Sequence, residues 1–388
     1  MRPRLTRFGL ATRAAALGGG RGKLAPFMAS ITFGGPDLKT VSLGSLMGPA
    51  CPRSAPPSRG FPSPTGMTEP WRSPRRYLGG SSLEVSRIAL GSWRTFERME
   101  RADAEAVLDH ALRSGIDFLD DARYDDETGR APLATGYSEV LFGELFRAVG
   151  ADREAVTVSN KLWWEFWPEQ DAVSELHGSL ERMGFDRLDL LYSSTLPDEV
   201  SVEVAVEQIA AVLDDGRVSA WSVVNWSAEA IAQAAVAAQR QGIPQPCAAQ
   251  LPYSLARLDW VEDSAMDAAL EATGASLVPS ATLAGGALTG KYADSGASGR
   301  LGAEVAEGRR AREVALGAAL RQPAARLDTT PATLAIAFTL RHPRTASTLI
   351  GATAPAQIDA ALAAVELADR LTDDDVAQLR ALAQDVSA

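Results

Sequence analysis

A carboxylate, a tyrosine and a lysine sit at the ends of two short apolar runs in this sequence. The first run, Gly115-Ile-Asp-Phe-Leu-Asp-Asp-Ala-Arg-Tyr, closes on Asp120, Asp121 and Tyr124; the second, Ala155-Val-Thr-Val-Ser-Asn, leads into Lys161. On neighbouring parallel strands these three residue types make a proton-donating site. An ammonium beside a phenol favours the tyrosinate and draws the phenol pKa down from its ordinary value near ~10, while the carboxylate holds the ammonium. The same residues would also serve as an ordinary ion pair in a surface turn, so the elements that position them decide between the readings.

Those elements alternate. Strand-like runs fall at residues 87–93, 116–122, 155–162, 188–194, 218–224, 247–253, 275–281 and 347–352. Amphipathic segments at 102–114, 138–149, 172–183, 202–214, 228–240, 260–272, 330–341 and 354–365 lie between and after them. Eight strands, each followed by a helix, predict a closed parallel (β/α)8 TIM barrel over residues 77–388. The strands are apolar throughout, as strands buried on both faces require. An extra helix is expected at 309–326, a capped terminal helix at 372–383, and a small hairpin at 77–85 under the barrel.

Composition separates the body from what precedes it. The chain has 388 residues and net charge −11; residues 1–76 hold twelve Lys or Arg against two Asp or Glu, so the other 312 carry −21. A body so acidic offers no general nucleic-acid surface. Residues 1–70, with Gly18-Gly19-Gly20 and a Pro-rich stretch at 49–64, show no sustained period and are expected to be disordered. The Arg-rich, acid-poor start has the composition of a transit segment, and a true start at Met67 is the other reading. No apolar run reaches the ~18 residues of a membrane span. Two cysteines, Cys51 and Cys247, build no disulfide framework and fit a reducing cytoplasm.

Barrel sites sit at the carboxyl ends of the strands. Here those ends offer Gly91-Ser92-Trp93, Asp120 with Tyr124, Lys161, Ser193-Ser194, Asn225, Gln250, a Gly285-Gly286 loop, and Gly351 with Thr353. The set holds hydrogen-bonding side chains and glycines that let a backbone approach phosphates; without clustered His, Cys or carboxylates, no catalytic metal is expected. Trp163, Trp164, Phe166 and Trp167 follow Lys161 and would wall a substrate pocket, two of the four serving as core. The polar insertion at 125–136 reads as a lid or a long variable loop.

Read together, Val85-Ser-Arg-Ile-Ala-Leu-Gly-Ser-Trp, Gly115-Ile-Asp-Phe-Leu-Asp, Ser138-Glu-Val-Leu-Phe-Gly, Gly216-Arg-Val-Ser-Ala-Trp-Ser-Val-Val-Asn-Trp-Ser, Gln250-Leu-Pro-Tyr-Ser-Leu, Leu288-Thr-Gly-Lys-Tyr and Gly351-Ala-Thr-Ala-Pro-Ala-Gln resemble, in order and spacing, the aldo-keto reductases, in the branch that includes the potassium-channel beta subunits. The resemblance implies NADP(H)-dependent reduction of aldehydes or ketones, NAD(H) not being excluded, with a tyrosine protonating the carbonyl oxygen; a cofactor-binding sensor or partner subunit with little turnover is the alternative it implies. By motif position Asp120 and Lys161 are the catalytic aspartate and lysine. Asp121 stands where the family has threonine and is a second carboxylate candidate. Tyr124 comes one residue earlier than the family tyrosine, with Tyr137 as competitor. The family histidine falls at Ser194, and the three histidines present, His110, His177 and His342, lie in or at the end of helical segments. Channel beta subunits also lack that histidine. A serine gives one neutral hydrogen bond, and the loss of a charged donor costs ~10² in rate. The implied cofactor contacts are Gly91, Ser92, Trp93, Asn225, Gln250, Gly285, Lys291, Arg300, Gly351, Thr353 and Gln357. Ser280 replaces the aromatic that stacks on the nicotinamide, and Ala360-Ala361 replaces a Glu-Asn pair at the adenine end, so weakened cofactor affinity is expected. Expected partners are a small carbonyl or alcohol substrate, with no nucleic acid.

Overall fold

Glycines and short polar side chains punctuate the chain into repeating units. Helices Ala172–Met183, Val202–Asp215, Ala228–Gln241 and Ser264–Thr273 each begin on a side-chain oxygen, from Asp171, Ser201, Ser227 and Asp263, that accepts a first-turn N–H. Each ends at a glycine in the left-handed region: Gly184, Gly216, Gly242 and Gly274. A capping oxygen satisfies an orphan donor at one end, and the glycine lets the chain leave at the other without a Cβ clash.

The computed structural model describes residues 28–34, 40–45, 74–293 and 308–387. In the N-terminal stretch expected to lack structure, β1 (Met28–Gly34) pairs antiparallel with β2 (Thr40–Ser45). The rest of that expected disorder lies outside the described residues.

The body is a barrel. After β3 (Arg75–Tyr77) and β4 (Glu84–Ser86), eight strands follow: β5 (Ile88–Gly91), β6 (Phe118–Asp120), β7 (Thr157–Leu162), β8 (Leu188–Ser193), β9 (Val218–Val224), β10 (Ala248–Pro252), β11 (Ser276–Ser280) and β12 (Thr348–Ile350). They lie side by side in the order β11-β10-β9-β8-β7-β6-β5-β12, every pairing parallel. The ring closes beyond the ends of this sheet, where Leu277 N–H donates to the Arg344 carbonyl at 2.8 Å and Ala346 N–H to the Leu277 carbonyl at 3.0 Å. β9 matches its apolar run, and the other seven strands are shorter than theirs, because pairing stops where the chain turns out of the barrel. The extra helix divides into Gly308–Ala319 and Arg321–Arg326. The terminal helix runs Asp373–Ser387, with three aspartates in its first turn where they favour the helix dipole.

Two apolar layers follow from the alternation. Residues such as Ile88, Leu119, Val158 and Leu191 point outward and pack against the helices. Ala89, Phe118, Leu190, Tyr192, Val224 and Val278 fill the barrel interior, joined from below by Leu78 of the β3–β4 hairpin. Gly79 makes that plug possible. Its φ is +50°, and a Cβ there would lie 2.3 Å from the Cys247 carbonyl oxygen. Its N–H donates to Ser276 Oγ at 2.8 Å, tying the hairpin to β11.

Candidate active site

Register brings the carboxylate and lysine together. Asp120 ends β6 opposite Ser159 of β7, and Lys161 lies two residues further on, on the same face. Lys161 Nζ donates to Asp120 Oδ2 at 2.7 Å, to the Asp121 carbonyl at 3.3 Å and to Tyr124 Oη at 3.2 Å. An ammonium has three N–H donors, and here three oxygens meet them. The phenol oxygen accepts from lysine, so its own proton is left to donate elsewhere. Asp120 Oδ1 is held by Ser159 Oγ at 2.7 Å and by Gln250 Nε2 at 3.4 Å. Asp120 and Lys161 are both buried. Tyr124, half-buried, is fixed from behind: its N–H bonds to the Ala122 carbonyl at 2.8 Å and to Ser138 Oγ at 3.1 Å, and Ser138 donates in turn to the Ala122 carbonyl at 2.6 Å.

The electrostatics differ from the sequence expectation in one respect. Burial raises the Tyr124 phenol above its ordinary pKa; Lys161 pulls against this, but Asp120 and Asp121 add to the rise. In this site the phenol is therefore a firmly protonated acid. The lysine eases its ionisation without bringing it below its ordinary range. For Lys161, burial works against the charge, but Asp120 and then Tyr124 outweigh it and the ammonium is held. Asp121 is the outlier. It is fully buried, its Oδ1 accepts from Ser92 Oγ, and its Oδ2 has no hydrogen-bond partner among the described residues. Burial first, and Glu139 second, push its carboxyl up to about 8. Asp121 therefore sits beside the ammonium through its backbone carbonyl, whereas Asp120 does so through its carboxylate.

The competing tyrosine lies apart. Tyr137 opens the helix Tyr137–Ala148 and shares a small crevice with Trp93 and Tyr124, but no hydrogen bond joins it to Lys161. The insertion before it is tied down, with Asp126 N–H bonded to the Ala134 carbonyl and Gly136 N–H to the Tyr124 carbonyl. Ser194 follows β8 as a buried residue whose hydroxyl turns to the Thr195 carbonyl at 3.5 Å, and no hydrogen bond joins it to Tyr124 or Lys161.

The remaining predicted residues ring the mouth. Gly91 ends β5, Ser92 is buried, and Trp93 is 47% exposed with its ring 6.4 Å from that of Tyr124. Asn225 is exposed with φ +60°, and its N–H bonds to the Gln250 carbonyl at 3.0 Å. Gly285 and Gly286 have φ of +68° and +99°, between Ala284 at +48° and Gly290 at +75°. Lys291 is exposed, its ammonium 4.9 Å from the Tyr292 ring centroid. Gly351 is exposed, and Thr353 N–H bonds to Gln357 Oε1 at 2.8 Å. Arg300 lies outside the described residues. Of the four aromatics, Trp163, Trp164 and Trp167 line a cavity of about 530 Å³, Trp164 being also deep in the core. Phe166 is 48% exposed under the Arg123 guanidinium.

Sequence reasoning missed the residues behind the site. Glu175 accepts from Trp163 N–H at 2.8 Å and Trp164 N–H at 3.3 Å and so shapes the turn after Lys161, where Trp164 has φ +65°. Burial raises its carboxyl pKa, against the two N–H bonds and Arg123. Glu139, fully buried, binds Arg182 and accepts from Asn160 Nδ2 at 2.9 Å. Both carboxylates sit on amphipathic helices, where spacing alone shows no more than a polar position.

An eight-stranded parallel barrel with a Lys–Asp–Tyr cluster at its mouth defines a class of barrel proteins, and sequence comparison narrows it. The profile of the Aldo/keto reductase family matches residues 87–384, and the chain belongs to that family. It is 30% identical over 323 residues to a probable voltage-gated potassium channel subunit beta of Oryza sativa subsp. japonica, covering 79% of this chain and 95% of the relative. It is also 27% identical over 331 residues to a putative subunit of the same name from Schizosaccharomyces pombe, covering 80% and 94%, and 29% identical over 310 residues to a probable one from Arabidopsis thaliana, covering 76% and 92%.

Proposed function

We propose that this protein reduces aldehydes or ketones with a reduced nicotinamide dinucleotide, NADPH for preference, and that Tyr124 is the proton donor. The observation that carries this reading is the three-way seat of Lys161 Nζ on Asp120, the Asp121 carbonyl and Tyr124 Oη. Asp120 keeps the ammonium charged and placed. The ammonium stabilises the phenolate that forms as Tyr124 gives its proton to a carbonyl oxygen. Ser194 stands at the position of the family histidine and would contribute at most a neutral hydrogen bond.

The donors at the mouth fit a dinucleotide. Asn225 and Gln250 offer amides to a carboxamide; the left-handed Ala284–Gly286 backbone permits the close approach that phosphates need, and Lys291 offers a cation nearby. Thr353 and Gln357, joined by a hydrogen bond at the start of the last barrel helix, would meet the adenine end. A bound cofactor would supply the hydride; the residues named would hold it and orient the carbonyl against Tyr124.

A second reading has support in the relatives' names, which assign a potassium-channel beta role to those proteins, and in the Ser194 hydroxyl turning away to Thr195. On that reading the barrel binds cofactor as a partner subunit with little turnover. NADPH oxidation with a panel of aldehydes separates the two. Tyr124→Phe should abolish turnover with NADPH binding nearly unchanged, and Tyr137→Phe should be mild. Full activity in Tyr124→Phe would overturn the donor assignment, and NADPH binding without any turnover favours the subunit reading.

A further inference from the structure

The cavity beside the site has a composition that selects a ligand. Three indoles, Trp163, Trp164 and Trp167, form its apolar wall, and two carboxylates, Glu165 and Glu199, stand on it; no Lys or Arg lines it among the described residues. Glu165 is already balanced by Arg123, whose Nη2 is 2.9 Å away. Glu199 is exposed and has no cationic partner among the described residues, so one negative charge is left over. The cavity lies beside the reacting groups: its Trp163 ring meets that of Tyr124 edge-on at 6.0 Å between centroids. Its volume, about 530 Å³, lies within the ~300–1,000 Å³ of small-molecule sites.

Indole faces attract cations, most strongly those that shed water easily, and a nearby carboxylate adds to the field. A cavity for a neutral alkyl or aryl chain has no use for an uncompensated carboxylate at its edge. An anionic chain would meet the unpaired Glu199 carboxylate and no cation in the cavity lining. Resting on the reductase reading above, we propose that this cavity holds the alkylammonium end of the substrate, a quaternary or tertiary ammonium joined by a short chain to the carbonyl that Tyr124 protonates. In the step itself, the carbonyl carbon gains hydride from the reduced nicotinamide, its oxygen gains the Tyr124 proton, and the product is the amino alcohol.

Two measurements on the full chain test this separately from the reductase reading. The first is calorimetric binding of choline against its uncharged shape-mimic, 3,3-dimethylbutan-1-ol. Choline should bind about 10-fold tighter, a margin that Trp167→Leu and Glu199→Gln each reduce several-fold. The second is NADPH-dependent reduction of 4-(trimethylammonio)butanal against 5,5-dimethylhexanal, with kcat/KM about 10-fold higher for the cation and the advantage shrinking in Glu199→Gln. Selective choline binding without reduction of either aldehyde shows an ammonium-binding cavity but overturns its assignment to the substrate of Tyr124, and the aldehyde panel then decides the reductase reading by itself. Equal binding of the two alcohols, or equal or better reduction of the neutral aldehyde, overturns the ammonium proposal and leaves the reductase reading intact.

Discussion

The two halves of the barrel mouth differ in how much they complete by themselves. On the β6–β7 side, protein groups alone hold Asp120 and Lys161, both buried, and fix Tyr124 Oη against the ammonium. From β11 to β12, the loop after Ser280 turns through left-handed residues, including Ala281 at φ +51° and Ala284 at +48°, and Lys291, Gly351, Thr353 and Gln357 stand exposed. A left-handed alanine costs ~1–2 kcal/mol, which surrounding structure must offset. Chemistry that moves a proton needs groups fixed beforehand, and a surface that grips a large ligand can wait for it. Substitutions within the Asp120–Lys161–Tyr124 cluster should therefore cost stability, and those on the second side should cost binding.

The largest effect should come from Lys161→Met. It leaves Asp120 as a buried carboxylate without its cation, a loss of ~3–5 kcal/mol that thermal unfolding would register, along with loss of carbonyl reduction. Unchanged melting would show the pair to be far less desolvated than its geometry indicates. Next is Glu175→Ala, which strands two N–H groups of the Trp163–Trp164 turn and should cost ~1–3 kcal/mol in denaturant unfolding.

Asp121 gives a pH test on the same side. Its carboxyl titrates near 8 folded against 3.8 ordinarily. The unfolded chain thus releases this proton first, and the group removes stability progressively as pH rises from about 4 to about 8, then no further. Asp121→Asn should melt higher than the parent by a margin that widens over that window and levels above it. A margin constant with pH would rule out the raised carboxyl. The smallest effect on folding belongs to the open side. Asn225→Ala should change stability by less than ~0.5 kcal/mol yet weaken NADPH binding by ~1 kcal/mol, seen as a several-fold higher Kd in tryptophan quenching.

The same contrast explains what was legible in the sequence. Strand alternation and glycine-ended helices announced the barrel, because each unit carries its own punctuation. Asp120 and Lys161 were readable because a strand end fixes a side chain's direction within a residue or two, and Tyr124, four residues beyond β6, because of its spacing after the aspartate. The phenol's net shift was not, since it depends on burial summed over Asp120, Asp121 and the neighbouring walls. Glu139 and Glu175 were invisible for a related reason: they act from helices on a strand, a turn and a neighbouring helix 11 to 43 residues away in sequence. The cavity's charge was equally hidden, because Glu199 joins the tryptophans only when β7 and β8 lie side by side.

The closing seam of the ring has a consequence for exchange with solvent. Every other neighbouring pair of strands shares a run of residues in register, whereas, among the described residues, β11 meets the chain before β12 through the backbone bonds of Leu277 to Arg344 and Ala346, with one long side-chain bond from Thr282 to the Leu349 carbonyl beside them. Opening there breaks the fewest bonds, so the amides of Leu277 and Ala346 should exchange with deuterium sooner than those of β7 and β8. The loop after Ser280 and the turn after Ile350 flank that seam, so a dinucleotide gripping both would bridge it. Saturating NADPH should then slow exchange at Leu277 and Ala346 more than anywhere on β7. Cofactor, on this account, is the last stave of the barrel.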